Sequence, residues 1–274
     1  MADLPSPVPA MPRDRLRPVE RVAVTLLDAL NLSPSAKDAV QWAVRNVSAR
    51  WVRACTRNLV TLYGLEHVAG LAPARGVILV ANHRSFFDMY VVSAFLYAHA
   101  GFLRRLYFPV RTAFFYENLL GVLVNLGISG GAMWPPVFRD ARRTTLNPVG
   151  LAQMRHVLAE PGAVVGIHPE GTRGKGPDPW ALLPAKPGLG DLVANVPDDV
   201  VLVPLFVIGL QNAFVTQVLS NFGLGPMAPV RIRFGAPITA GEARALGDDA
   251  GSVSRALMAR VAALADEDRR AFPG

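Results

Sequence analysis

The sequence predicts an α/β fold in which helices cover a sheet on both sides. From residue 65 onward, short apolar runs alternate with stretches that carry helical periodicity. These runs are apolar throughout and do not alternate with polar residues, which indicates strands buried on both faces. With 274 residues, 51% of them hydrophobic, the chain is long enough to bury a full core.

The N-terminal part is predicted to be organised differently. Residues 1–18 contain five prolines and no apolar stretch of the kind a signal peptide needs, so we predict a flexible tail. Residues 19–63 are predicted to form a pair of helices. The first, over residues 20–31, has one apolar side, and the second, over residues 35–58, follows a serine that can act as an N-cap.

The second helix of this pair carries two stripes of side chains. One is apolar and recurs at helical spacing: Val40, Val44, Val47, Trp51 and Cys55. The other is basic: Arg50, Arg53 and Arg57. Two interpretations remain open. The helices lie in a lipid interface with the arginines at the head groups, or they form a layer packed on the domain with a solvated basic face.

Residues 64–274 are predicted to form one domain, without internal repeats. The apolar runs predict strands at residues 76–81, 106–110, 163–167, 200–208 and 230–234. Helical periodicity predicts the intervening and final helices at residues 85–100, 148–159 and 251–270.

The composition excludes several classes of protein. The single cysteine, Cys55, excludes an intramolecular disulfide and a thiolate zinc cluster, and clustered metal-ligand motifs are not found. The net charge of +7 comes with few aromatic residues interleaved among basic ones, so nucleic acid is not an expected partner. The mean hydropathy is +0.29, yet no segment reaches the roughly 18 unbroken apolar residues of a membrane span. These facts predict a protein that sits on a membrane without crossing it.

The first chemical motif directly follows the strand at residues 76–81. It reads Asn-His-Arg-Ser-Phe-Phe-Asp and places His83 five residues before Asp88. If the chain turns after the strand, the carboxylate can fix the imidazole tautomer and make the other ring nitrogen a stronger base. The alternative is structural: Ser85 and Asp88 have the spacing of a capping box, in which Asp88 only caps the helix.

The second motif follows the strand at residues 163–167. His168 and Pro169 are followed by Glu170, Gly171, Thr172 and Arg173, in a loop rich in glycine and proline. Ligands bind at strand ends in α/β sheets. A guanidinium there can hold a phosphate through paired hydrogen bonds, and a glycine lets the backbone approach it. Taken alone, the motif could also be an ordinary loop with a surface ion pair.

Together the two motifs resemble the lysophospholipid and glycerolipid acyltransferase family, which includes 1-acylglycerol-3-phosphate acyltransferases. That family pairs Asn-His-x-x-x-x-Asp with Pro-Glu-Gly-Thr-Arg in this order, and the resemblance covers about residues 64–235. It implies a mostly buried mixed sheet flanked by helices. It also implies that His83 is the general base and that Asp88 orients it. The implied substrate-binding residues are Asn82, Arg84, Arg111, Glu170, Gly171, Thr172, Arg173 and Lys186.

The sequence departs from the family pattern at several positions. His168 stands where a large apolar residue is usual, and we favour a packing role for it over ligand contact. The second family block normally ends in an arginine, but residues 127–131 have none nearby. The candidates to replace it are Arg111, Arg139, Arg142 and Arg143. Because this block helps to shape the acceptor site in the family, the identity of the acceptor is the open question.

The resemblance implies acyl transfer from acyl-CoA or acyl carrier protein to the hydroxyl of a lysophospholipid, with 1-acyl-sn-glycerol-3-phosphate as the first acceptor to consider. No metal and no bound cofactor are implied. Arg173, with Lys186, is expected to hold the phosphate. Backbone N–H groups near the start of the helix at Ser85 are expected to stabilise the oxyanion. The expected location is the cytoplasmic face of a membrane, peripheral or monotopic.

Two alternatives remain beside this interpretation. The first is the same chemistry on another lysolipid, such as a lyso-ornithine lipid, which the altered second block favours. The second is a non-catalytic protein that binds a lipid surface.

Overall fold

The computed structural model describes residues 10–226 and 229–273. Its helices are Pro18–Asn31 (α1), Pro34–Ala43 (α2), Ala49–Ala54 (α3), Glu66–Ala69 (α4), Asp88–His99 (α5), Thr112–Phe115 (α6), Leu119–Ser129 (α7), Asn147–Leu158 (α8), Gly188–Asn195 (α9), Phe214–Asn221 (α10), Ala240–Arg244 (α11) and Ala250–Ala271 (α12). A π turn, Val44–Ser48, joins α2 to α3, and a 3₁₀ turn, Thr144–Leu146, precedes α8.

The strands are Val60–Tyr63 (β1), Val77–Ala81 (β2), Arg105–Tyr107 (β3), Val110–Arg111 (β4), Pro136–Val137 (β5), Ala163–Ile167 (β6), Val201–Ile208 (β7), Val230–Phe234 (β8) and Ile238–Thr239 (β9). The central sheet has the order β1-β8-β7-β2-β6-β3, with β9 paired to β7. Neighbouring strands are parallel except where β7 meets β8 and β9. The predicted α/β class with a mixed sheet flanked by helices is confirmed.

The central strands are buried because their side chains are apolar on both faces. All five residues of β2 are buried, and α12 packs against β2 and β7. The predicted strand at residues 106–110 is divided: β3 belongs to the central sheet, while β4 pairs with β5 in a separate parallel pair. This small sheet lies beside the sheet edge that carries the candidate site.

The N-terminal segment is more closely joined to the domain than its predicted boundaries imply. Residues 1–9 of the predicted tail lie outside the described residues, but Met11 and Leu16 are buried in the core. Strand β1 pairs in parallel with β8, so the central sheet begins before the predicted boundary at residue 64. The interpretation of a helical layer packed on the domain is therefore correct as far as packing is concerned.

The predicted apolar stripe of the second helix is wrong at Val47 and Trp51, whereas Val44 and Cys55 are buried as predicted. Val47 and Trp51 are 64% and 53% exposed, whereas Ala49 and Val52 are buried. The cause is the π turn, which inserts one extra residue into the helix and moves the buried face from position 47 to position 49. Large apolar side chains are therefore left on the outer surface.

Candidate active site

The two chemical motifs meet because β2 and β6 are parallel neighbours. Val80 of β2 is paired with Ile167 of β6, so the residues that follow both strands leave the sheet at the same edge. The rings of His83 and His168 lie there with their centroids 4.0 Å apart. Strand pairing thus brings together two histidines that are more than eighty residues apart in the chain.

His83 and Asp88 form the pair that the first motif predicts. Nδ1 of His83 lies 3.1 Å from Oδ2 of Asp88. The same oxygen accepts hydrogen bonds of 2.8 Å from the backbone N–H groups of Arg84 and Ser85. Asp88 therefore orients the imidazole and also caps the turn, so the two interpretations of this motif hold together. Nε2 of His83 has no hydrogen-bond partner among the described residues and is available to a substrate.

Burial sets the protonation of this pair. It lowers the pKa of His83 to about 4, and the positive charge of Arg173 contributes in the same direction. It raises the pKa of Asp88 to about 6. Above pH 6, therefore, the imidazole is neutral while the carboxylate is ionised, which is the combination that a general base needs.

Glu170 does not have the position expected of a residue that binds the acceptor. It is only 2% exposed, and both of its carboxylate oxygens are occupied. Oε2 accepts a hydrogen bond of 2.7 Å from the backbone N–H of His83, and Oε1 accepts one of 2.8 Å from that of Leu183. Burial raises the pKa of this carboxyl. Glu170 holds the turn at residues 82–88, which we call the catalytic turn, and the loop at Leu183 in place. Neither of its carboxylate oxygens is directed at a ligand, as the predicted contact with phosphate would require.

Asn82, also predicted to bind substrate, makes structural hydrogen bonds. It is fully buried, and its side-chain amide pairs with both the carbonyl and the N–H of Val207 on β7. This pairing fixes the end of β2 to its neighbour just before His83. Thr172, in contrast, is exposed on the loop, so it is accessible to a ligand.

Several cationic side chains surround the second motif. Gly171 adopts a positive φ of 65°, which turns its carbonyl toward Arg139, and a guanidinium N–H of Arg139 donates to it. Lys186 passes close to the same glycine and is exposed. Arg173 donates to the side chain of Asn212 over 2.7 Å. On the other side of His83, Arg84 donates to the carbonyl of Gly176 over 3.0 Å.

Three of the arginines that could replace the one missing from the second block have different surroundings. Arg139 reaches the Gly171 loop, whereas Arg143 is 2.5 Å from Glu20 of α1 and serves the packing of that helix. Arg111 is exposed on β4, and its charge adds to burial in lowering the pKa of Arg139. Arg139 is thus the better match, and Arg111 is its neighbour.

The backbone amides expected to stabilise an oxyanion are already occupied. The N–H groups of Arg84 and Ser85 bind Asp88, that of Phe86 binds Asn212 over 3.0 Å, and that of Phe87 binds the Ser85 hydroxyl over 3.1 Å. The helix itself begins at Asp88, three residues later than predicted. The expectation fails because the turn needs these amides to hold its own shape.

His168 extends the site with a second imidazole that sequence motifs did not associate with His83. Its Nδ1 donates to the carbonyl of Ala81 over 3.2 Å, and burial lowers its pKa to about 4. Ligand atoms of His83, Asp88 and His168 lie within 4.8 Å of one another, as in a metal site. The two rings, however, are stacked with only 14° between their planes. Lone pairs in nearly parallel planes do not converge on one ion, so this arrangement does not fit a metal.

Two further features were missed by sequence reasoning. Asn212 bridges the motifs, since its side-chain oxygen accepts from both Phe86 N–H and Arg173. Its position after β7, the other neighbour of β2, is the signal that could have revealed it. An aromatic rim also borders the catalytic turn: Phe86, Phe87, Phe114, Phe115 and Phe214, with ring centroids 4.8–5.8 Å apart in successive pairs.

A family model described as Acyltransferase, of the glycerolipid type, matches residues 59–208. The match covers more than half of the chain and includes both motifs. The chain belongs to this acyltransferase family. A comparison with curated proteins gave no match. The acyltransferase region starts one residue before β1, which agrees with the place of that strand in the sheet.

In this acyltransferase the imidazole of His83 is held from two sides. Asp88 fixes His83 from one side, and Glu170 fixes the backbone of His83 from another. In the part of the chain that the structure describes, no helix combines the length and apolarity needed to cross a bilayer.

Proposed function

We propose that this acyltransferase moves a fatty acyl group from acyl-CoA or acyl carrier protein to the hydroxyl of a lysophospholipid, with 1-acyl-sn-glycerol-3-phosphate as its acceptor and phosphatidic acid as the product. The observation that carries the proposal is the group of cations beside the catalytic pair. Arg139, Lys186 and Arg173 surround the Gly171 loop, next to His83. This arrangement suits an acceptor whose phosphate is close to its reacting hydroxyl.

In the proposed reaction, Nε2 of His83 takes the proton of the acceptor hydroxyl while the oxygen attacks the thioester carbonyl. The ionised Asp88 stabilises the resulting imidazolium. The tetrahedral intermediate then breaks its carbon–sulfur bond, and the imidazolium returns the proton to the departing thiolate. The products are an ester and a free thiol. Oriented base catalysis of this kind typically contributes about 10²–10⁴-fold.

The oxyanion requires donors other than the occupied amides of the catalytic turn. Arg84 and Arg173 flank His83, and each guanidinium has N–H groups beyond the one used in its protein hydrogen bond. We assign oxyanion stabilisation to these side chains. The aromatic rim offers an apolar surface for the acyl chain.

Membrane association is part of the proposal. The outer surface of the N-terminal helices carries Val22, Leu26, Trp42 and Trp51, which are between 49% and 68% exposed. A groove of about 190 Å³ beside them is lined by Arg45, Arg50 and Arg53, among others. Exposed tryptophan next to arginine is typical of a helix in a lipid interface. We therefore place the protein on the membrane, peripheral or monotopic, at the cytoplasmic face where thioester donors occur.

The test is acyl transfer from an oleoyl thioester to 1-acyl-sn-glycerol-3-phosphate in detergent micelles. We expect His83→Ala to lower kcat by at least about 10³-fold, because the base is removed. The matched control is His99→Ala, an exposed histidine at the end of α5, which should keep wild-type activity. Turnover that survives in His83→Ala would contradict the mechanism.

A panel of acceptors tests the substrate. We expect Arg139→Ala to raise KM for the phosphate-bearing acceptor at least tenfold, with Arg155→Ala, an exposed arginine of α8, as control. Turnover on a lysolipid without a phosphate monoester, and none on the proposed acceptor, would assign the same chemistry to that lipid. Lipid binding without turnover on any acceptor would favour the non-catalytic alternative.

A further inference from the structure

An uncharged segment follows β7, and we call residues 210–226 the uncharged arm. The chain has no charged side chain between residues 210 and 229. Nevertheless, the arm exposes large apolar residues on α10 and on the turn after it: Val215 and Leu224 at 72%, Phe222 at 60% and Leu219 at 42%. A helix at a water-facing surface normally carries charged or polar residues on its outer side. The arm therefore has the composition of a surface that water does not cover.

The arm is attached directly to the catalytic turn. The carbonyl of Gln211 accepts a hydrogen bond of 3.1 Å from the Ser85 hydroxyl, and Asn212 accepts the one from Phe86 N–H. The ring of Phe214 lies 4.8 Å from that of Phe87. Whatever covers the arm must therefore also lie at the entrance to the active site.

The arm is also continuous with the N-terminal helices. Phe214 contacts Trp51 with the ring centroids 5.7 Å apart, and the side chain of Asn221 donates to the carbonyl of Ala54 over 3.0 Å. Next to this junction are the basic residues of the same helices, Arg50, Arg53 and Arg57. They have no carboxylate partner among the described residues. An uncharged apolar surface bordered by unpaired arginines complements a bilayer with anionic head groups.

We propose that the uncharged arm is a second membrane-insertion element. It enters the acyl region beside the catalytic turn, while the N-terminal helices lie on the adjoining part of the same surface. The inference rests on the proposed membrane association and adds an element that is distant in sequence from the N-terminal helices. Its consequence is that the entrance to the active site lies at the bilayer surface, where the hydroxyl of a lysolipid is located.

The first test measures binding of the full-length protein to vesicles of phosphatidylglycerol and phosphatidylethanolamine by co-sedimentation. We expect Val215→Asp and Leu224→Asp each to weaken binding by about tenfold, since each places a charge in the apolar region. The matched control is Leu246→Asp, in the turn after α11 at the opposite edge of the sheet and 38% exposed. It should bind within twofold of the wild type. Equal binding by all variants would overturn the proposal.

The second test reports on the depth of the arm. The Cys55→Ser, Phe222→Cys variant carries a polarity-sensitive fluorophore on its single cysteine, and the Cys55→Ser, Leu246→Cys variant serves as the reference. Vesicles should shift the emission of the label at position 222 to the blue and leave the reference unchanged. No shift at position 222, or a shift produced equally by raising the protein concentration without lipid, would overturn the proposal in favour of contact between two copies.

The proposal for the arm and the proposed reaction can be tested independently of each other. With a short-chain acceptor and donor that are both monomeric in solution, Val215→Asp and Leu224→Asp should keep wild-type kcat, because neither side chain touches the catalytic pair. Vesicle binding lost in these variants supports the arm even if no lysolipid is a substrate. Turnover on monomeric substrates with unchanged vesicle binding supports the reaction and overturns the arm.

Discussion

One carboxylate oxygen of Asp88 accepts three N–H groups, and this accounts for both roles of the residue. Two of the groups belong to the backbone of the catalytic turn, and the third is Nδ1 of His83. The other oxygen, Oδ1, is buried and has no hydrogen-bond partner among the described residues. Burial without a full set of partners explains why the pKa of this carboxyl is raised and not lowered. The carboxylate of Asp88 is thus held against the imidazole of His83.

Glu170 shows how a motif can predict an important residue and misassign its task. The motif places a carboxylate at the strand end, where ligands bind. The structure directs both oxygens inward to backbone N–H groups of His83 and Leu183. A buried carboxylate would in any case repel a phosphate. Its contribution is to the position of His83.

We predict that Glu170→Gln lowers kcat by about 10–100-fold while KM for the lysolipid changes less than twofold. The amide NH₂ would face a backbone N–H in place of an acceptor oxygen, which displaces the base. Steady-state kinetics over a range of acceptor concentrations measure both constants. Glu160→Gln, an exposed residue before β6, is the control. A large rise in KM with unchanged kcat would instead restore the role in acceptor binding.

The N-terminal helices are held by buried polar groups as well as by apolar packing. Trp134 donates through its indole N–H to Asp28 of α1 over 2.8 Å. Lys37 of α2 is fully buried, donates to Asn31 over 2.7 Å and lies 4.4 Å from the ring centroid of Tyr107. The spacing of apolar residues along a helix does not reveal hydrogen bonds and ring contacts of this kind. They explain why sequence patterns predicted the helices themselves but left open what they pack against.

For this element we predict that Lys37→Met raises the free energy of unfolding by about 1 kcal/mol at pH 7. Burial lowers the pKa of Lys37 well below its usual 10.5, so at pH 7 folding must remove or bury a charge that the unfolded chain keeps in water. The gain is partly offset by the loss of the hydrogen bond to Asn31. Urea unfolding measures the difference.

The pH dependence of the free energy of unfolding tests whether the lowered pKa of Lys37 causes this difference. A lowered pKa in the folded state means that the stabilising contribution of neutral Lys37 is fully present above pH 10.5 and is lost as the pH falls. The advantage of Lys37→Met should therefore shrink when both proteins are compared at pH 10. Lys175→Met, at an exposed position, should show no change at either pH. An advantage that is the same at both pH values would contradict the electrostatic origin.

Over the whole molecule, the two edges of the central sheet, at opposite ends of its strands, differ in how much apolar surface they expose. The edge with the catalytic turn carries the aromatic rim and the uncharged arm, and the arm contacts the exposed Trp51 of α3. The edge at the start of β7 carries the short strand β9 and α11, with a capping box of Thr239 and Glu242. Exposed apolar residues are thus gathered on the side of the molecule that the proposal assigns to the membrane.

The buried histidines predict the acid stability of the molecule. Burial lowers the pKa of His83 and of His168 from 6.5 to about 4, so the unfolded chain binds more protons between these values and stability falls as the pH falls through them. Asp88, with its pKa raised from 3.8 to about 6, acts in the opposite sense over much of the same range. Glu170 and Asp28, whose pKa values burial also raises, act in the same sense as Asp88. Each of the two histidines by itself contributes a loss of stability toward pH 4.

We predict that His168→Phe reduces this loss by about 2 kcal/mol between pH 7 and pH 4.5, since one pKa unit corresponds to about 1.4 kcal/mol. The measurement is the difference in urea unfolding free energy between the two pH values. His99→Gln, which changes an exposed histidine, should follow the wild type. A wild-type slope in His168→Phe would show that this imidazole is not held neutral.

Sequence patterns were enough to predict the fold class, the positions of the main strands along the chain and the contact between His83 and Asp88. Those features depend on local patterns: continuous apolar runs, and motifs placed directly after them. Other features became visible only in the folded chain. The side chains of Glu170 and Asn82 hydrogen-bond to backbone groups, Arg139 reaches the Gly171 loop, and a π turn exposes Val47 and Trp51. The physical reason is that buried polar groups of the backbone need hydrogen-bond partners. Which side chain supplies the partner depends on strands and turns that are far apart in the chain and meet only in the folded protein.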